Sequence, residues 1–196
     1  MRVTLDDIVA RLGRARVDDP GTLLADRRAA VAAVVRVRER GPEVLLIERA
    51  EREGDRWSGQ VALPGGREDE GDVDLRATAM REAREEVGLA LDGARLLGRL
   101  PWLRAIARGK ILPMTISPFV FGLEPGGDDP PLVLSDEARA AFWLPLAPAA
   151  DGLLDDHYEW KLGPLPMKFP AWRWEGRVVW GLTYQMLRSL ITALEG

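Results

Sequence analysis

The sequence predicts an α/β protein in which a mixed β-sheet is flanked by helices. Three observations lead there. Ala29 to Arg38 and Glu43 to Glu48 read as strands joined by the turn Glu39-Arg40-Gly41-Pro42. Leu75 to Val87 repeats its apolar residues at helical spacing, and Trp180 to Leu194 closes the chain as another helix. Strand candidates also follow the central helix, so strands lie on both sides of it in sequence.

In chain order, Leu5 to Leu12 is a short helix, Asp18 to Gly21 a polar turn, and residues 1–27 form an N-terminal helical extension to a domain spanning 28–196. After the central helix, Ala94 to Leu100 and Thr115 to Leu123 are strand candidates, separated by a basic, partly apolar loop from Trp102 to Pro113. Gly126 to Pro131 is a turn or loop, Ser135 to Ala141 a helical turn and Phe142 to Leu146 a short strand. Tryptophans and prolines punctuate residues 157–176. There is no internal repeat of solenoid period.

Composition narrows the function classes. A chain of 196 residues suits one well-cored domain. A formal charge of -4 and a pI near 5.2 argue against nucleic-acid binding through net charge. Zero cysteines exclude disulfides and thiolate metal sites. Without a membrane-length apolar run or a signal-type N-terminus, a soluble cytoplasmic protein is expected, with no membrane partner. The oligomeric state is left open, a homodimer included.

The chemistry concentrates in residues 59–89, GQVALPGGREDEGDVDLRATAMREAREEVGL. Asp72 or Asp74 can cap the helix, no glycine or proline interrupts Leu75 to Val87, and Gly88 supplies a stop. Leu75, Ala79, Met80, Ala83 and Val87 fall within an arc of about 140° that should face a core. Glu82 and Glu86 lie at its margin, with Glu85 about 60° beyond Glu82. Crowded carboxylates oppose an isolated helix. A hard divalent cation, Mg²⁺ or Mn²⁺, would reverse that sign, because such ions take oxygen ligands and substrate phosphates. Arg81 can reach Glu85 one turn away and orient it. The competing reading is a solvated run of ion pairs through Arg81, Glu82, Arg84, Glu85 and Glu86.

This segment resembles the Nudix box, G-x5-E-x7-R-E-U-x-E-E-x-G-U with U apolar, the signature of hydrolases that cleave a nucleoside diphosphate linked to another group. Arg81 to Leu89, REAREEVGL, matches every fixed position of its second half. The first half is one residue longer than the pattern, with Val73 where the glutamate falls and Asp72 as its nearest substitute. A stretched box after LLIERA and GQVALPGG is similar to the coenzyme A pyrophosphatase branch, although Leu63 replaces a frequent phenylalanine and the branch's T-x-R-S and histidine positions are not reproduced. The resemblance implies a Nudix α/β/α sandwich and a metal-dependent pyrophosphohydrolase that releases adenosine 3',5'-bisphosphate and 4'-phosphopantetheine. It assigns Glu82, Glu85 and Glu86 to catalysis and metal binding, with the Gly65 carbonyl as a further ligand. ADP-ribose, nucleotide sugars and nucleoside triphosphates are alternative substrates. A catalytically silent binding module is a third reading, opposed by the intact REAREEVGL.

Other groups complete the expected site. In many Nudix enzymes the general base is a glutamate shortly before a W-x-P-L-like strand, which selects Glu137 ahead of FWLPL; Asp128, Asp129, Asp136 and Glu82 remain alternatives. Arg49, Arg56 and Arg67 flank the glycine turn and match phosphate geometry. Gly65 and Gly66 allow a ligand to approach the backbone closely. Arg104, Arg108 and Lys110, with Trp102, could meet a 3'-phosphate or adenine, and Trp57 could stack on a base. His157 reads as a loop or surface histidine, and Trp143, Trp172, Trp174 and Trp180 as core or sheet-covering groups. The expected partner is a small nucleoside diphosphate derivative.

Overall fold

The computed structural model describes residues 3–13, 27–54, 57–107, 109–124, 130–160 and 166–195. Two antiparallel partners, β1 (Arg27–Arg38) and β2 (Gly41–Arg49), meet through a tight turn at Glu39-Arg40 that pairs Arg38 with Gly41. Gly41 sits at φ 112, a conformation that favours glycine. On its other edge β1 runs parallel to β7 (Lys110–Leu123), and this is the one parallel pairing among the described strands of the main sheet. The short strands β3 (Val61–Ala62) and β4 (Gly65–Arg67) attach to β2 and β1 respectively. β5 (Arg95–Arg99) and β6 (Leu103–Ala107) pair with β7, and β8 (Ala138–Pro145) pairs with β2, completing eight strands.

The run AAVAAVV in β1 is apolar at every position because both of its faces are covered. Ala30, Ala32 and Val34 face α2 (Leu75–Val87), where Leu75, Ala79, Ala83 and Val87 are buried. Val31, Ala33 and Val35 face the opposite core, built with α1 (Leu5–Leu12) and α4 (Gly181–Glu195). The result is helix, mixed sheet, helix, as expected. Leu5, Ile8 and Leu12 of α1 are all buried against this second face. Each such side chain contributes roughly 1.5–3 kcal/mol by leaving water, so α1 belongs to the core it covers. Thr4 and Asp7 close a reciprocal capping box at its start.

Three expectations change. Trp102 to Pro113 is not a loop: β6 folds back on the start of β7 as a hairpin, pairing Ala107 with Lys110. Ser135 to Ala141 is not a helical turn beyond Asp136-Glu137, because β8 already starts at Ala138 and draws its ladder from β2. Residues 157–176 supply most of an antiparallel sheet of β9 (Asp155–Trp160), β10 (Met167–Trp174) and β11 (Arg177–Trp180). Its tight β10–β11 turn places Glu175 at φ 47 and Gly176 at φ 79, the paired positive angles that suit a two-residue hairpin. The Asp18 to Gly21 turn and residues 126–129 lie outside the described residues.

Candidate active site

Small residues set the distance between α2 and the sheet. Ala79 and Ala83 on the helix and Ala30 and Ala32 on β1 are all fully buried, so backbone packs close to backbone. β4 lies against β1 at that place, with Ala30 opposite Gly66 and Val31 opposite Gly65. The glycine turn is thereby pressed onto the margin of α2 that carries Glu82 and Glu86. A Cβ at Gly66 would stand 2.4 Å from Glu82 Oε1, and one at Gly65 would stand 2.5 Å from the Ala30 carbonyl oxygen. Gly65 has no room for a side chain, and a side chain at Gly66 would displace the Glu82 carboxylate.

The Gly65 N–H donates to Glu86 Oε2 at 2.9 Å, and Arg49 Nη1 approaches Glu86 Oε1 at 3.4 Å. Only 2% of the Glu86 side chain is exposed. Burial pushes its pKa up to about 7, in spite of the Gly65 N–H and Arg49, while Glu82 and Glu137 nearby push in the same direction as burial. Glu82 is raised too, again chiefly by burial, with Arg81 opposing. One buried and one half-buried carboxylate that repel each other make a place short of positive charge. Glu85, more than half exposed, lies outside that pair and is held by Arg81.

Arg81 does more than orient Glu85. Its Nη1 donates to Glu82 Oε1 and Glu85 Oε2, both at 2.9 Å, and its Nη2 donates to the Arg67 carbonyl at 2.9 Å. The remaining face of the guanidinium takes Asp72, whose pKa is lowered to about 2 mainly by that contact. Asp72 also accepts from Thr78 Oγ1 and from the Asp69 N–H, both at 2.9 Å. Of the two cap candidates, Asp74 caps the helix, accepting from the Ala77 N–H at 2.7 Å, and Gly88 ends it at φ 68.

Glu137 is brought to the same place by the backbone. Val133 and Ser135 donate to the carbonyls of Val87 and Glu86 at 2.9 and 3.0 Å, and Ala50 donates to the Glu137 carbonyl at 2.8 Å. These bonds pin the residues before β8 to the end of α2 and the end of β2. The Glu137 carboxylate is half-exposed and pairs with Arg52 Nη1 at 3.1 Å, a partner that sequence reasoning missed. The stretch EREGDR contains alternating charges with no feature that marks one of them. Arg49 and Arg67 border the glycine turn as expected; Arg56, Arg108, Asp128 and Asp129 lie outside the described residues. Arg104 and Lys110 are exposed on the β6–β7 hairpin, and His157 is exposed on β9.

A cavity of about 870 Å³ opens beside the turn. Arg49, Gly65, Gly66 and Arg67 form one part of its wall; Trp57, the β6–β7 hairpin and residues of β9 to α4 form the rest. The indole N–H of Trp57 donates to the Ile106 carbonyl at 3.2 Å, which fixes the ring as a wall element.

By donor chemistry Glu82 and Glu86 fit a hard divalent ion, since they present oxygen only and carry charge that burial disfavours. Among the described residues, no three acidic or histidine groups are gathered as a ready-made cage. Arg81 holds Glu82 and Glu85, while the Gly65 N–H and Arg49 hold Glu86. An incoming ion would therefore have to compete with Arg81 for Glu82 and Glu85. Among the described residues no helix is long and apolar enough to cross a membrane.

Known proteins resemble this chain in sequence and in fold. The family model described as NUDIX domain matches residues 26–166. An uncharacterized Nudix hydrolase, NudL, of Citrobacter koseri is 33% identical over 192 residues, covering 96% of this chain and 93% of its own. The Ap4A hydrolase of C. elegans, solved as a binary complex, superposes with a TM-score of 0.51 at 23% identity over 64% of this chain and 84% of its own. The NUDIX domain of Shewanella oneidensis NrtR, solved with ADP ribose, gives a TM-score of 0.50 at 19% identity over 68% of this chain and 82% of its own. At those identities the two solved structures speak to the fold.

Proposed function

Because the chain belongs to the Nudix hydrolase family, which acts on pyrophosphate bonds of nucleoside diphosphate derivatives, we propose that it cleaves the diphosphate linkage of coenzyme A or its derivatives with Mg²⁺ or Mn²⁺. Glu82, Glu85, Glu86 and the Gly65 carbonyl hold the ion or ions. When bound, such an ion supplies charge neutralisation at the diphosphate and acidifies water. The supporting observation is the contact of Gly66 with the Glu82 carboxylate next to the Gly65–Glu86 hydrogen bond. It sets a bare backbone edge beside two charge-poor carboxylates, where a phosphate chain can lie.

In this reading Glu137 accepts the proton of the attacking water, and water adds to one phosphorus as the bridging P–O bond breaks. Two phosphate monoesters leave. Arg49 and Arg67 orient phosphate oxygens, and Arg81 keeps Glu82 and Glu85 from swinging away from the edge. Coenzyme A is favoured by the extra residue in the box, together with the GQVALPGG run ahead of it.

A broader diphosphatase acting on ADP-ribose, nucleotide sugars or nucleoside triphosphates is the second reading. It is favoured by the exposure of Arg104 and Lys110 outside the cavity wall, which among the described residues leaves Arg49 and Arg67 as the basic groups of that wall. Turnover of coenzyme A, dephospho-coenzyme A and ADP-ribose with Mg²⁺ or Mn²⁺ separates the two. One charge-assisted phosphate contact is worth roughly 1.5–3 kcal/mol, or about 10- to 150-fold in kcat/KM. Dephospho-coenzyme A should be slower by that factor. Equal turnover of both, or faster turnover of ADP-ribose, selects the broader enzyme.

A further inference from the structure

The three-stranded sheet of β9, β10 and β11 has two unlike faces. Trp172 and Val179 enter the core on one of them. Register places Tyr158 opposite Phe169, Trp160 opposite Met167 and Ala171 opposite Trp180, so the side chains of Tyr158, Trp160, Met167, Phe169 and Trp180 share the other face. Those five are all partly or fully exposed, and all five line the cavity. Tyr158 and Trp180 stack at 3.9 Å between ring centroids, and Trp160 and Phe169 lie about one ring-width away at 6.2 and 6.0 Å from Trp180. Large aromatic and thioether side chains left open to a concave space mark a binding surface rather than a finished core.

The distribution of charge says what would bind. Among the described residues, the cavity wall carries two charged side chains, Arg49 and Arg67, both beside Gly65 and Gly66. Met114, Ile116 and Met186 add further apolar surface to the same wall. A phosphate anchored at the glycine turn is matched by the two arginines, and whatever hangs from it into the cavity meets mostly apolar surface. The polar side chains of the lining away from the turn, Gln60, Tyr158, Thr183 and Gln185, are uncharged, so a second charged group would lose water without gaining a charged partner among the described residues. Most of this layer, from Met167 onward, lies beyond the segment matched by the family model, which ends at residue 166.

We propose that this cavity is a specificity site for an uncharged apolar tail, making the preferred substrate a nucleoside diphosphate esterified on its far side to a long aliphatic group. The proposal rests on the diphosphatase reading above for the position of the phosphates. The stacked Tyr158–Trp180 pair closes the slot that a flat base would need between rings, whereas methionines and ring edges accommodate a flexible chain.

The test uses the intact chain and methylene-bridged, non-hydrolysable ADP alkyl esters with methyl, butyl, octyl and dodecyl tails. Binding is read by titration calorimetry and by tryptophan fluorescence, so that it does not depend on turnover. At about 0.8 kcal/mol per buried methylene, each added carbon should tighten Kd roughly fourfold until the cavity is filled. Met167→Glu places a charge on a half-exposed position of the aromatic layer and should flatten that dependence. Leu153→Glu, at an exposed apolar position that does not line the cavity, should preserve it, and circular dichroism of both variants separates misfolding from lost recognition. Affinity independent of tail length overturns the proposal, as does a response to replacing ADP by UDP that exceeds the response to the tail. Hydrolysis of ADP-ribose alongside a flat tail series would leave the enzyme class standing and remove the tail site alone.

Discussion

Arg81 grips Asp72 through two parallel hydrogen bonds, Nε to Oδ1 and Nη2 to Oδ2, each 3.0 Å long. The same guanidinium holds Glu82 and Glu85 with its remaining nitrogen, so the loop ahead of α2 and the carboxylate edge of α2 share one anchor. The extra residue in that loop is absorbed without breaking the anchor, because Asp72 reaches Arg81 from its own position in the turn begun at Asp69.

Asp72→Asn should destabilise the protein by roughly 1.5–3 kcal/mol at neutral pH, the usual worth of charge-assisted hydrogen bonds. Asp72 has a depressed pKa in the folded state, about 2, so its contribution is complete above the unfolded value near 3.9 and is lost as pH falls through about 2. Urea denaturation of both proteins checks this. The gap between them should close across that acid window, and a gap that stays constant down to pH 2 would show that the clasp is not the source.

Glu86 carries the opposite sign. Its pKa of about 7 lies above the ordinary carboxylate value of 4.5, so between those limits the folded metal-free protein binds more protons than the unfolded chain. Stability should therefore fall as pH rises from about 4.5 to about 7. Glu86→Gln keeps an acceptor for the Gly65 N–H and should abolish that slope, raising the metal-free Tm at pH 8. The same variant should lose metal-dependent turnover by more than about 100-fold, the upper range for disturbing a group that merely supports a metal ligand. Scanning calorimetry at pH 5 and pH 8, without metal, reads the first effect; an unchanged slope removes Glu86 as its cause.

Gly66→Ala should cost activity before it costs stability. The added methyl meets the end of the Glu82 side chain, and that flexible carboxylate can move aside at little energetic expense. Moving it, however, takes it off the edge where a phosphate chain would lie and out of line with Arg81. The expected result is a Tm within a few degrees of the parent protein with kcat/KM reduced at least about tenfold, since misplacement by about 1 Å can cost about 100-fold. A variant with full activity would mean that Glu82 works from more than one position.

What could be read beforehand follows the range of the interactions. The box helix is a local object: Asp74, the uninterrupted interior and Gly88 act within a few residues, and its ends emerged as expected; of the arc, Leu75, Ala79, Ala83 and Val87 are buried, while Met80 is half-buried and Thr78 is buried beside them. The place of Glu82 and Glu86 at the arc's margin translated into burial of Glu86 and half-burial of Glu82. The β6–β7 hairpin was hidden because Arg104, Lys110 and Pro113 mask a strand whose ladder is supplied by β7. β9 to β11 were hidden for a related reason. Their apolar alternation faces a cavity on one side, so tryptophans stand among charges and prolines. No spacing rule could link Arg52 to Glu137 across 85 residues, because that contact depends on the backbone bonds that tie the β8 lead-in to α2.

The position of Glu137 leads to the last prediction. Its carboxylate is near enough to Glu82 and Glu86 to raise the proton affinity of both, and it is half-exposed, as a group must be that exchanges protons with water. If it deprotonates the attacking water, Glu137→Gln should lower kcat by about 100- to 10,000-fold, the range for a positioned general base, with KM changed only a few-fold. Arg52→Ala, which removes the ion-pair partner and leaves the carboxylate, should retain most of the rate. Steady-state kinetics from pH 5 to pH 10 at saturating Mg²⁺ distinguish the cases. If Glu137→Gln kept the parent kcat, the proton would have to be taken by Glu82.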